Sequence, residues 1–247
     1  MKKQALLTTA LVALVAPPIF SQSTADSKGT FTIAPSYVSD FMFRGMRLGG
    51  PSFQPTVEYS KGPLTVGVWS NFPISKKIEG VSDPEFDIYA SWDWQLVPDA
   101  LTIRPGITAY TFPRAENKDG FYQATYEPNL SLVYSVCDID FTGTVYYDLV
   151  MKGPTYEFGI DYSVPIKPLG IGLELSALAG SYDWSESEKS TEKIEASGKY
   201  WQAGISIPYE FSDNSRIVAG WYYAEGKEKN SDAFGRGVFN ISFSYSF

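Results

Sequence analysis

Hydrophobic and polar residues alternate with a period of two along almost the whole chain. At its end Phe239, Ile241, Phe243, Tyr245 and Phe247 share one face of an extended segment. Asn240, Ser242, Ser244 and Ser246 share the other face, because successive side chains of a strand point to opposite sides. The same alternation recurs in residues 31–44, 53–60, 64–72, 85–95, 101–110, 122–135, 139–149, 155–164, 169–177, 200–211 and 216–223. Turn-forming clusters separate these runs, among them Lys61-Gly62-Pro63, Cys137-Asp138, Lys152-Gly153-Pro154 and Ser212-Asp213-Asn214. Longer polar stretches at 75–84, 113–120, 185–199 and 226–232 fall on alternate connections.

This pattern predicts about twelve strands of about ten residues, the length that crosses a bilayer at a tilt. Short turns on one rim and longer loops on the other are the arrangement of outer-membrane barrels. A closed ring of twelve strands leaves a lumen too wide for its own apolar side chains to fill. The apolar face therefore points outward and the polar face inward. A soluble sandwich or lipocalin-like barrel also alternates, but would not keep every second connection short. The expected fold class is all-β, a transmembrane antiparallel up-and-down β-barrel, with both termini on the short-turn, periplasmic rim.

The first residues break the pattern. Met1-Lys2-Lys3 is followed by an uncharged apolar run over 5–16 and by small residues at Ser21, Ser23 and Ala25. This is the layout of a cleaved secretory signal peptide, expected over residues 1–23, with the barrel over 24–247. The run is too short for a membrane-spanning helix, and the absence of a nearby cysteine argues against lipoprotein processing.

Composition narrows the function. With 17 Tyr, 16 Phe and 6 Trp, aromatics make up 16% of the 247 residues. Tyr59, Trp92, Trp94, Tyr134, Trp201, Tyr209, Phe211, Trp221, Tyr223 and Tyr245 lie near strand ends on the apolar face, where amphipathic rings suit a membrane interface. A net charge of −8 argues against nucleic acid as a partner. The chain has no histidine and one cysteine, Cys137, so an intramolecular disulfide, a histidine triad and a histidine metal site are all excluded. No cofactor or metal is expected. Cys137, in a predicted turn, is read as a free thiol.

Candidate function falls on the inward face. It carries eleven acids, including Glu58, Glu85, Asp87, Glu127, Asp148, Glu157, Asp161 and Glu174, against four arginines, Arg44, Arg104, Arg216 and Arg236. A narrow lumen of one sign selects by charge, which predicts a preference for cations or neutral solutes over anions. Trp69 and Tyr110 join these as pore-lining candidates, with Tyr146, Tyr200 and Tyr222 on the same side; such rings either narrow a lumen or stack on sugars. Arg44 is expected to pair with a lumen acid such as Asp40 or Glu85.

The segment Tyr37-Val38-Ser39-Asp40-Phe41-Met42-Phe43-Arg44-Gly45, continued by Pro51-Ser52-Phe53-Gln54-Pro55 and Gly67-Val68-Trp69-Ser70-Asn71, resembles the first-hairpin signature of the TorF-type porin family of Gram-negative outer membranes. Trp69-Ser70-Asn71 lacks the residue that family places between Trp and Ser. The resemblance implies a channel without catalytic residues. The terminal strand ending in Phe247 resembles the signal read by the barrel-assembly machinery. The expected function is passive diffusion of small solutes across the bacterial outer membrane, with outer-membrane lipids around the barrel. The alternatives are a non-conducting structural or adhesin-like barrel, with the 185–199 stretch as its working loop, and an outer-membrane lipid hydrolase. The missing histidine removes the usual base for a serine nucleophile.

Overall fold

In the computed structural model, which describes residues 28–75, 84–114, 123–166, 171–185, 195–229 and 232–247, the chain closes into a barrel of twelve antiparallel staves. Strands β1 (Thr30–Ala34) and β2 (Ser36–Val38) make the first stave. β3 (Phe41–Phe43) and β4 (Met46–Gly49) pair only with each other. β5 (Ser52–Phe53) and β6 (Thr56–Lys61) make the second stave, and β7 (Leu64–Pro73) the third. β8 (Glu85–Trp92) and β9 (Trp94–Val97) make the fourth. Single strands follow: β10 (Leu101–Thr111), β11 (Ala124–Val136), β12 (Ile139–Asp148), β13 (Gly153–Ile166) and β14 (Ile171–Ser185). The last three are β15 (Glu195–Ser212), β16 (Ser215–Glu228) and β17 (Phe234–Ser246). β17 closes the ring on β1 and β2, with Ile33 opposite Tyr245 and Tyr37 opposite Ile241. The leader expected over 1–23 lies outside the described residues.

The period-two pattern becomes the two faces of this wall. On β11, Leu130, Leu132 and Tyr134 are exposed while Glu127 and Ser131 are buried. On β17, Phe239 and Phe243 are exposed while Val238 is fully covered. Continuous rows of exposed apolar side chains on this scale call for an apolar surrounding. Rings gather at the short-turn rim, where Phe31 stacks on Phe247 and Phe211 on Phe243, each pair with centroids 5.9 Å apart.

The short-turn rim carries the connections at 62–63, 98–100, 137–138 and 213–214. Gly62, Asp99, Cys137 and Asp138 adopt positive φ there, as tight hairpin turns require. On the opposite rim β12 and β13 are joined by residues 149–152 alone. The Asp148 carboxylate fixes that turn, accepting from the backbone N–H of Val150 at 2.8 Å and of Met151 at 2.7 Å. The 185–199 stretch is shorter as a loop than the sequence predicts. β14 and β15 stay paired out to Ser185 and Glu195, so 195–199 belong to the ladder.

The largest departure lies in the first predicted strand. It stops at Val38, and Phe41 to Gly49 turn inward as a separate hairpin. Phe41, expected on the outward face, is 3% exposed and inside. The cause is local. Arg44 and Gly45 take φ of 49° and 77°, and Phe43 opposes Met46 across them, so the chain reverses in two residues.

Candidate functional site

The hairpin β3–β4 leaves the wall between the first two staves and crosses the lumen. Its tip meets the wall at two places, one near its origin and one across the lumen. Gly45 meets the backbone of Gly226 on β16 so closely that a Cβ on Gly45 would stand 2.5 Å from the Gly226 Cα. Glycine on both sides is what allows that approach. Beside this contact, the Arg44 side chain enters a socket built from six staves, β10 to β15.

The socket is acidic and aromatic. Arg44 Nη1 and Nη2 each donate to one oxygen of Glu127 at 2.8 Å, a bidentate pair. Arg44 Nε stands 4.0 Å from Glu157 Oε1 and makes no hydrogen bond. Tyr110 donates to Glu127 at 2.8 Å, and Tyr146 to Glu157 at 2.8 Å, with Tyr200 donating to the other Glu157 oxygen. The guanidinium lies over the rings of Phe43, Tyr146 and Trp184, with centroids at 4.7, 5.0 and 5.9 Å. Arg44 thus pairs with Glu127 and approaches Glu157, rather than Asp40 or Glu85, because the turn carries it across the lumen.

Apolar packing surrounds the hairpin. Met42 joins Val38, Tyr222, Ala224 and Val238 in one buried cluster. Phe41 joins Trp69 and Tyr89 in another, with Leu48 against it. Inside the lumen, hairpin side chains thus pack directly against those of the wall. Trp69 is 2% exposed beneath Phe41, Tyr110 packs against Phe43, Arg44 lies over Tyr146 and Tyr200 is buried, so these rings are already covered by the protein's own groups.

The remaining predicted lining residues all lie on the inward face. Asp40, at the hairpin base, takes Arg47 at 2.8 Å and Arg236 at 2.9 Å. Glu58 accepts from Tyr89 at 2.9 Å. Glu174 pairs with Arg216 and accepts from Ser206 at 2.9 Å. Arg104 pairs with Asp93, and Asp148 accepts from Thr125 at 2.6 Å. Glu85 and Asp87 are buried two residues apart on β8, and Asp161 opposes Asp140 across β12 and β13. The structure therefore gathers Arg44, Tyr110, Glu127 and Glu157 into one site and leaves the other candidates spread along the wall. Among the described residues no acidic or cysteine cluster is arranged to hold a metal.

Sequence reasoning missed Phe41, Met42, Leu48, Trp184 and Gly226 as parts of this site. The available signal was punctuation: Arg44-Gly45 and Gly49-Gly50-Pro51 bracket a run too short to be a stave.

A family model described as a bacterial protein of unknown function, Gcw_chp, matches residues 22–238. The chain belongs to the Gcw_chp family. The match spans nearly the whole barrel, including the hairpin and every socket residue. No curated protein sequence matches the chain. Solved structures show the fold of this Gcw_chp member. The NanC porin superposes with a TM-score of 0.54 at 13% identity, over 87% of this chain and 98% of the porin. The COG4313 outer membrane channel from Pseudomonas putida F1 gives 0.54 at 9% identity, over 89% and 96%. LpxR from Salmonella typhimurium gives 0.51 at 10% identity, over 87% and 99%. At these identities the likeness is one of fold.

Proposed function

We propose that this Gcw_chp chain is exported by its leader, assembled through the strand ending in Phe247, and spans the bacterial outer membrane as a TorF-type solute channel. Passage is set by width and charge, without bond chemistry. The observation that carries the reading is the closed barrel with an apolar outer face, a polar lumen, and a hairpin inside that lumen which is no part of the wall. A pure structural barrel has no need of an inserted element with its own charged anchor. The inward carboxylates outnumber the arginines, and the fields of those left unneutralised favour cations and neutral solutes.

A second reading, a non-conducting barrel, is favoured by the packing at hairpin level, where Met42 and Val238 are fully covered. The hydrolase reading is weaker, because the chain has no histidine to activate a serine. Planar-bilayer recordings of the refolded protein separate the first two. The expected result is a cation-shifted reversal potential and a conductance that rises several-fold when residues 40–50 are replaced by a short Gly-Ser link. Silence from both proteins would establish the non-conducting reading, and anion preference would overturn the charge assignment.

A further inference from the structure

We propose that the socket of Glu127, Glu157, Tyr146 and Trp184 is a binding site for solutes that carry a guanidinium group, and that Arg44 occupies it as a tethered competitor. The proposal rests on the channel reading for its biological setting, while the site itself is a matter of geometry.

The socket has the chemistry of a guanidinium receptor. A carboxylate offers two coplanar acceptors to the fork, a second carboxylate stands beside it, and aromatic faces cover the planar cation. Tyr110, Tyr146 and Tyr200 hold the two carboxylates in place by donating to them, so the acceptors are preorganised whether or not Arg44 is present. The lumen around them is rich in acids, which concentrates cations near the entrance.

The resident group fits its own site imperfectly. Arg44 Nε has no hydrogen-bond partner and stops 4.0 Å from Glu157. Trp184 Nε1 is buried without an acceptor. Arg44 also sits at a φ of 49°, a region that a side chain with a Cβ adopts at a cost. A free guanidinium solute has no tether, so it can bridge both carboxylates and leave that strained turn unneeded.

The tether can also leave. Between Asp40 and Gly50 no backbone-to-backbone hydrogen bond to the barrel wall occurs among the described residues. The backbone-to-backbone bonds to the wall stop at Ser39, whose N–H donates to Phe239, and at Pro51, which accepts from Ile74. Inside them, among the described residues, only side chains reach across: Ser52 to the Gly50 carbonyl and Arg236 to Asp40 at the base, and Arg44 to Glu127 at the tip. Withdrawing the hairpin therefore breaks no wall ladder. Solute binding and hairpin seating compete for one pocket, and a guanidinium solute that wins the pocket unseats the tip.

The test is titration of methylguanidinium into the refolded full chain in detergent at constant ionic strength, read by tryptophan fluorescence. Arg44→Ala empties the socket and should give a saturable response. In the wild type the apparent affinity should be at least about tenfold weaker, because only the fraction with an empty socket can bind. Adding Glu127→Gln to Arg44→Ala should abolish saturation. Gly226→Leu provides a second route should Arg44→Ala not fold: a side chain there collides with Gly45, displaces the tip and leaves every socket residue intact. No saturable response in either variant, or equal responses in wild type and variant, overturns the proposal. Saturation that persists with Glu127→Gln places the site elsewhere and overturns it too. Binding in a protein that never conducts retires the channel reading and leaves the socket. Conductance without saturable binding retires the socket alone.

Discussion

The barrel wall and the hairpin inside it are both antiparallel β-structure, yet different interactions hold them. Each stave of the wall is laddered to two neighbours; β14 and β15, for example, stay in register from Ile171–Tyr209 to Ser185–Glu195. Its two faces are set by local alternation, and any one residue is dispensable to the pattern. The hairpin has a ladder only with itself. Its position depends on two apolar clusters, one glycine-to-glycine contact and one arginine. The wall is one continuous sheet and the hairpin is tied to it at a few points, so a perturbation of the hairpin should stay local and one of the same size in the wall should be felt by the whole barrel.

The largest effect on the hairpin should come from Glu127→Ala. Breaking one partner of a buried ion pair typically costs about 3–5 kcal/mol, because the other charge is left uncompensated. Arg44 would be that charge, with its side chain 5% exposed. The expected outcome is fast amide exchange across 41–49 with urea unfolding of the barrel almost unchanged. The double variant Arg44→Ala with Glu127→Ala should lose less than the sum of the two single changes, since neither member of that pair is left facing a vacated partner. Additive losses would mean that the pair does not act as a unit.

The matching perturbation of the wall is Leu132→Arg. Leu132 is exposed on the outer face of β11 between Tyr126 and Tyr134, and an arginine on the lipid face of such barrels costs up to about 2–4 kcal/mol, most at the midplane. Here the prediction reverses: folding yield into lipid and urea stability fall, while exchange at 41–49 changes only as the whole barrel does. If Leu132→Arg left stability untouched in lipid vesicles, the outward face would not be a lipid face.

The sequence was legible where the physics is local and opaque where it is not. Alternation along β11 or β17 needs no information from elsewhere in the chain, so both faces and the twelve-stave count were readable. Glu58, Glu127 and Glu174 lie on the inward face as parity requires. The hairpin has the same composition as a strand. Phe41 and Phe43 alternate with Asp40 and Arg44 as a stave would, with Met42 the one break, and the two-residue turn at Arg44-Gly45 reverses the chain. The partner of Arg44 was unreadable for a different reason. Glu127 is 83 residues away, and only the closure of the barrel brings it opposite the tip. Trp184 and Gly226 have no signature at all outside that closure.

A smaller effect is expected at Gly226. A Cβ there would stand 2.7 Å from the Gly45 carbonyl oxygen, and overpacking of this kind costs about 1–3 kcal/mol. Gly226→Ala should loosen the tip without altering any charge. Comparison with Glu127→Ala then separates shape from electrostatics in holding the hairpin.

The smallest effect should come from Arg236→Ala, and it sharpens the comparison most. Arg236 and Arg47 share Asp40 at the hairpin base, but the Arg236 side chain is 39% exposed. Exposed ion pairs contribute about 0–1 kcal/mol and are screened by salt. Arg47 would also still hold Asp40 after the change. Exchange at 41–49 should therefore rise slightly at low ionic strength and become indistinguishable from wild type in high salt. A response as large as that of Glu127→Ala would place the critical anchor at the base and make the tip a follower. A small, salt-sensitive response fits an element fixed at its far end, where one buried arginine decides whether the lumen is filled.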